Sequence, residues 1–218
     1  MFVDNSACNL ASLNLLKFVD DSGQFDAIAF RHAIHVMITA QEILVGNSSY
    51  PTDPIEANSH KYRPLGLGFA NLGALLMYFG LAYDSPDGRA MAATITALMT
   101  GQAYLSSSIL ASSIGPFDEY KKNSRPMLNV MKKHKDAIEN IDRSLVQDNL
   151  IESAEEVWTE VLEFGSNYGF RNAQTTVLAP TGTIGFMMDC DTTGIEPELA
   201  LVKTRSEERR VGKECATG

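Results

Sequence analysis

The chain has 218 residues, 44% of them hydrophobic, so it can bury a core of its own, and its net charge of −9 argues against a nucleic-acid face held by charge. No apolar run approaches the roughly 20 residues needed to span a bilayer, and Met1-Phe2-Val3-Asp4-Asn5 lacks the basic segment and long apolar core of a signal peptide. Cys8, Cys190 and Cys215 are spaced neither as a disulfide framework nor as metal ligands, so no metal site and a reducing, cytoplasmic setting are expected.

Ser6 to Leu15 alternates in part, with Leu13 and Leu15 on one face and Ser12 and Asn14 on the other, which predicts a strand tightly packed by its neighbours. Asp20-Asp21-Ser22-Gly23 is a turn. Phe25 to Leu44 carries apolar residues at Phe30, Ala33, Ile34, Met37 and Ile38, which is helical period, and Gly46 to Pro51 ends it. Pro51 to His60 reads as polar loop. Tyr62 to Gly80 reads as a loop entering a buried helix, in which Gly66, Gly68 and Gly73 allow close approach of another element. Gly66-x-Gly68 is not a dinucleotide fingerprint, because no strand precedes it and the third glycine is misplaced.

Asp84-Ser85-Pro86 starts a further helix, small residues from Ala90 to Ser113 suit tight helix packing, and Gly115-Pro116 ends it. Phe117 to Lys135 is polar, basic in patches and peripheral. Ser153-Ala154-Glu155-Glu156 is a capping box opening a helix through Trp158, Val161, Leu162 and Phe164. The order of strand, several helices, strand and helix is that of an α/β fold with long helical crossovers between parallel strands.

The chain is organised around Thr176 to Pro197. Val177 and Leu178, preceded by Thr175 and Thr176, read as a buried strand; Pro180 and Gly182 stop it; Ile184 to Met188 reads as the opening of a helix. A strand that turns through small residues into a helix leaves amide N–H groups unpaired and aimed one way, which suits an anion, and Thr181 and Thr183 add hydroxyls. The alternative is an ordinary strand-to-helix connection with a threonine cap, and short Gly/Thr motifs are common enough that the residues alone favour it.

Other candidates are weaker. A lone Cys8 in a strand is more often packing than chemistry. Cys190 lies between Asp189 and Asp191, which disfavour a thiolate. His32 and His35 stand three apart on a helix with no further ligand nearby, and His60 and His134 sit in polar, basic surroundings as solvated side chains. Glu196 is either a buried acid or a partner for the amides of its own turn.

Three motifs, in this order, resemble the large catalytic subunit of ribonucleotide reductases: Ser6 to Leu15, Arg63-Pro64-Leu65-Gly66-Leu67-Gly68, and Ala179-Pro180-Thr181-Gly182-Thr183-Ile184 with Gly194-Ile195-Glu196-Pro197. Met188 to Pro197 is most similar to the adenosylcobalamin-dependent class, and the resemblance runs from about Met1 to Lys203. It implies an α/β fold, helix-rich, forming the start of the second five-stranded half of a ten-stranded barrel. It implies that Cys8 is one cysteine of the redox pair that reduces the substrate, its partner lying far upstream. It implies that Pro180, Thr181, Gly182, Thr183 and Ile184 bind the substrate's phosphates, which reverses the preference stated for the turn. The family's radical-bearing cysteine, in an Asn-Pro-Cys-x-Glu run, is expected just before Met1.

The resemblance further implies adenosylcobalamin in the full-length protein, a ribonucleoside di- or triphosphate substrate, nucleotide effectors, a thioredoxin-type reductant and a homodimer, with no nucleic acid and no membrane. The rivals are the large subunit of a metal-radical class and a non-catalytic helical module with a phosphate-accepting turn. Arg205 to Cys215 resembles the in-frame translation of a sequencing adapter. The expected division is therefore 1–204 as part of the catalytic barrel and 205–218 as a non-native tail.

Overall fold

A computed structural model describes residues 3–7 and 9–198. Strand β1 (Asn9–Asn14) pairs in parallel with β2 (Leu65–Ala70), in a register that runs from Asn9 opposite Leu65 to Asn14 opposite Ala70. On the other side of β2 a short extended stretch joins in parallel. Leu65 N–H donates to Gln174 O at 2.8 Å, Leu67 N–H to Thr175 O at 3.0 Å, and Val177 N–H to Leu67 O at 3.0 Å. The strand expected around Val177 is thus a single bridge, Leu67 to Thr176. Its pairing ends because Ala179 N–H folds back onto Val177 O at 3.0 Å, a three-residue turn just ahead of Pro180.

Long helices connect and cover these strands: α1 (Ala27–Asn47), α2 (Asp53–Tyr62), α3 (Leu72–Tyr78), α4 (Pro86–Ile114), α5 (Tyr120–Ala137) and α6 (Asp148–Tyr168). The α/β order with parallel strands matches the expectation. α1 begins where Asp26 accepts from Ala29 N–H at 2.9 Å, and α4 where Ser85 accepts from Gly88 N–H at 3.0 Å with Pro86 in the first turn. Gly115, at φ +84°, closes α4 in a conformation that suits glycine.

Three local readings are corrected. Residues 65–70 are strand β2, not the approach to a helix, and the helix begins only at Leu72. β2 is buried on both faces, so it has no polar alternation to betray it. The close approach assigned to its glycines is real at Gly68, where a Cβ would lie 2.3 Å from Val177 O. Second, Pro51 to His60 is mostly helix α2: Pro54 suits its first turn, Asp53 and Glu56 its N-terminal end, and His60 and Lys61 its C-terminal end. Third, α6 opens at Asp148, so Ser153 and Glu156 lie inside it. Glu156 instead receives a 2.9 Å salt bridge from Arg31 on α1.

The core lies between the sheet and helices α1, α4 and α6. Leu65, Leu67 and Phe69 face it from β2 and are fully buried. α1 is long and apolar enough to cross a membrane by length and composition, which the absence of a twenty-residue apolar run had not suggested. Its Phe30, Ile34, Ile38 and Val45 form a stripe inside this core. α4 and α6 close tightly at Gly101, where a Cβ would come within 2.6 Å of Val157 Cγ1, and Trp158 Nε1–H donates to Ala97 O at 2.9 Å. The small residues of α4 thus serve the tight packing expected of them. α5, basic and outermost, packs on α6.

Candidate functional site

At the C-terminal end of the strands the chain leaves the sheet at Ala179 and enters a single helical turn, α7 (Gly182–Gly185). The helix expected from Ile184 to Met188 is therefore one turn followed by reversals, too short for a macrodipole of any size. What it offers is donors. The N–H groups of Gly182, Thr183 and Ile184 have no acceptor among the described residues, all three residues are exposed, and a Cβ on Gly182 would meet nothing within 4 Å. Gly185 N–H, by contrast, already donates to Thr181 O at 3.2 Å.

Thr181 has a different role from the one expected. It is buried, sits at φ +50°, and its hydroxyl lies 2.7 Å from that of Ser12 on β1 and donates to Ala179 O at 3.2 Å. The Thr181 hydroxyl therefore anchors the turn to the sheet and is not free for an anion. Thr183 is exposed beside the open amides. Gly194, at φ +47°, passes close to Pro180: a Cβ on it would lie 2.9 Å from Pro180 O and 3.0 Å from Ala179 O.

The returning segment, residues 188–196, is held by two asparagines that sequence reasoning missed. Asn71, fully buried, follows β2 at φ +73°, and its Oδ1 accepts from Asp191 N–H at 2.9 Å and Thr192 N–H at 3.0 Å. Its Nδ2 donates to Asn14 Oδ1 at 3.0 Å, and Asn14 Nδ2 donates to Met188 O at 2.9 Å and Asp189 O at 3.2 Å. Asn71 precedes α3 but does not cap it; Thr192 Oγ1 does, accepting from Ala74 N–H at 3.3 Å. Gly73 makes room for this, since a Cβ there would lie 2.8 Å from Glu196 O. The one sequence hint was an asparagine between strand and helix, where a left-handed residue is needed.

Cys8 lies outside the described residues. Cys190 is part-buried, and burial together with Asp191 and Asp189 raises its thiol pKa, as expected of a poor thiolate. Lys17 bridges Asp189 at 2.7 Å and holds that carboxyl below its ordinary value. Glu196 is exposed rather than buried, and accepts from Thr193 Oγ1–H at 2.8 Å. His35 Nδ1 lies 3.1 Å from Ser106 Oγ, and His60 lies 3.9 Å from Glu56. His134 is not simply solvated: it stacks on Trp158 at 5.4 Å, and loss of water on that face lowers its pKa. Among the described residues, no three His, Cys, Asp or Glu side chains gather as metal ligands.

A parallel α/β sheet with open amides beyond its C-terminal ends is the layout of proteins that hold phosphorylated ligands in that crevice. Residues 1–214 match the family model described as "Ribonucleotide reductase, barrel domain", and the chain belongs to that family. It is 58% identical over 203 residues to a vitamin B12-dependent ribonucleotide reductase of Rhodopirellula baltica, covering 93% of this chain and 19% of that protein. A protein of the same name from Streptomyces coelicolor is 50% identical, covering 93% of this chain and 22% of that protein. A ribonucleoside-diphosphate reductase subunit alpha of Chlamydia pneumoniae is 26% identical, covering 89% of this chain and 18% of that protein. The chain thus spans about a fifth of the length of the curated relatives it matches.

Proposed function

We propose that this chain is part of the catalytic barrel of an adenosylcobalamin-dependent ribonucleoside di- or triphosphate reductase, at the start of the barrel's second five-stranded half. In this reading the turn Pro180–Ile184 holds the substrate's phosphates and Cys8 is one of the two thiols that reduce it. The observation that carries it is the row of three exposed, unpaired amides at Gly182, Thr183 and Ile184, mounted on a turn pinned to β1 and β2. Identity to vitamin B12-dependent relatives, well above that to the diphosphate-reductase subunit, supports the cobalamin class over the metal-radical class.

The chemistry balances as one ribonucleotide and two thiols giving one 2′-deoxyribonucleotide, one disulfide and one water. The 2′ hydroxyl leaves as the water; the thiols, Cys8 and its upstream partner, supply two electrons and two protons. A thioredoxin-type dithiol reduces the disulfide again. The turn's part is orientation: gripping the phosphates fixes where the ribose lies, and such positioning can be worth on the order of 7 kcal/mol of a barrier. Its amides suit phosphate because they are fixed donors that need no reorganisation when the anion arrives. Thr181 contributes by holding the turn against Ser12.

Adenosylcobalamin brings its cobalt in its own ring. A cobalamin reading therefore calls for no cluster of metal-binding side chains in this segment. When bound, the cofactor supplies the radical that starts the reaction on a cysteine the resemblance places upstream of this chain. The 218-residue chain by itself is therefore expected to be inactive. Nucleotide effectors and a homodimer belong to the whole protein in the same reading. Residues 205–218 are read as foreign on their resemblance alone; a native reductase sequence found on resequencing the gene across that junction would overturn this.

Pyrophosphate titration of the 218-residue chain, followed by amide NMR, tests the turn. Saturable shifts at Gly182, Thr183 and Ile184, absent with chloride at matched ionic strength, are expected. No response at these amides would overturn the assignment.

A further inference from the structure

We infer that Asn71, acting with Asn14, is the positioning residue of the phosphate-binding turn, setting the location of Pro180–Ile184 through the segment that returns beneath it. The inference rests on the phosphate-binding reading of the turn.

The turn cannot locate itself. Its helix has one turn, and its own internal bonds, such as Gly185 N–H to Thr181 O at 3.2 Å, fix its shape but not its place on the sheet. Two connections fix its place. One is the hydroxyl pair Ser12–Thr181 at 2.7 Å. The other is residues 188–196, which meet the turn where Cys190 N–H donates to Gly185 O at 3.1 Å and where Gly194 passes close to Pro180 O. Within the fold that segment is held by the buried amide pair, with further ties from Lys17 to Asp189, from Ala74 N–H to the Thr192 hydroxyl and from the Tyr83 hydroxyl to Ile195 O.

The pair uses nearly all of its capacity. Asn71 Oδ1 takes two backbone N–H groups from Asp191 and Thr192, and its Nδ2 reaches Asn14 Oδ1. Asn14 Nδ2 takes two backbone carbonyls, Met188 and Asp189. The two side chains therefore read four residues, the carbonyls of Met188 and Asp189 and the N–H groups of Asp191 and Thr192, with Cys190 between them. A side chain one methylene longer or shorter at position 71 would move the whole run relative to β2. Asn71 gives up its local work for this: it leaves α3 uncapped, and Thr192 supplies the cap from the segment being held. The left-handed φ of +73° aims its side chain away from its own helix and toward the segment.

The relay is also neutral. Its own side chains carry no charge, and the carboxylate of Asp189 in the run it holds is paired with Lys17.

The test compares Asn71→Gly, which keeps the left-handed backbone and removes the side chain, with Asn71→Asp, which keeps an acceptor for both amides. In the 218-residue chain, Asn71→Gly is expected to weaken pyrophosphate binding at Gly182–Ile184 by tenfold or more. It is also expected to speed hydrogen exchange at Asp191, Thr192 and Cys190, while amides in α4 and α6 keep their protection. Asn71→Asp is expected to restore protection at Asp191 and Thr192. A merely structural role would lower the unfolding midpoint and leave affinity, measured well below that midpoint, unchanged; that result would overturn the inference and leave the turn's assignment standing. If the unsubstituted chain ignores pyrophosphate, the assignment of the turn fails. Exchange at Gly185, Met188 and Cys190 then decides the positioning role alone: faster in Asn71→Gly upholds it, unchanged overturns it. Should Asn71→Gly not fold, Asn14→Ala carries the same comparison with the same expected directions.

Discussion

Two polar clusters sit at opposite ends of β2, and each is entered through a left-handed residue. Before the strand, Arg63 at φ +50° donates through Nε to the buried Glu42 Oε1. Arg171 Nε reaches the same oxygen at 2.6 Å, and Asn172 Nδ2 reaches Glu42 Oε2 at 2.7 Å. Asn172 is tied in turn to Ser107 of α4, whose hydroxyl donates to Asn172 Oδ1 at 2.9 Å. After the strand, Asn71 at φ +73° leads into the neutral amide relay. The first cluster is ionic and joins α1, α4 and both strand approaches. The second is uncharged and joins the sheet to a loop.

The difference is one of duty. Ions buried together hold strongly only in one arrangement, and losing a partner strands the rest. That suits the end where strands begin and nothing need bind. Amides hold geometry with less at stake and add no charge of their own. In α/β proteins ligands gather at the carboxyl ends of strands, and here the uncharged cluster is the one at that end.

Four substitutions sharpen the contrast. The largest effect is expected from Glu42→Ala, which leaves two guanidinium groups confined without a carboxylate: about 3–5 kcal/mol of stability, read from the urea midpoint, with pyrophosphate affinity unchanged in the chain that remains folded. Gly68→Ala should cost about 1–3 kcal/mol, because its Cβ would collide with Val177 O, and should shift the amides of residues 176–179 in NMR spectra. Unlike the first, it should also weaken pyrophosphate binding, since that stretch carries the turn. Thr192→Val should cost about 1 kcal/mol through loss of the borrowed cap on α3, with faster exchange confined to Ala74 and the 188–196 segment.

The smallest effect is a baseline outside both clusters. His134 against Trp158 has a pKa below the ordinary histidine value, so between the folded and unfolded pKa the unfolded chain holds the proton and the folded chain does not. Its share of stability is present above about pH 6.5 and is lost as pH falls through the folded value. Thermal midpoints measured from pH 7.5 to 5 should decline less steeply in His134→Phe than in the unsubstituted chain.

Sequence made the helices with local signals readable. Ser85-Pro86 and Gly115 mark both ends of α4 through contacts within four residues, and the apolar period of Phe30 to Ile38 marks α1. It failed where tertiary packing overrides the local pattern. Leu65–Ala70 is covered on both sides, so its glycines looked like helix packing, and Ser153 and Glu156 looked like a box because their real partners are distant. At the site, the turn itself was legible in Pro180, Gly182 and the family resemblance. What holds it was not, because Ser12 meets Thr181 across 169 residues and Asn71 meets Thr192 across 121. No spacing rule spans such gaps.

β1 has one more consequence. Among the described residues it pairs with one strand only, β2, with Gln41 of α1 donating to Asn9 O at 2.6 Å, and Leu10 on it is 57% exposed. A strand bare along its other margin is a template for any extended chain that meets it. Concentrated by itself, this polypeptide should self-associate through that margin.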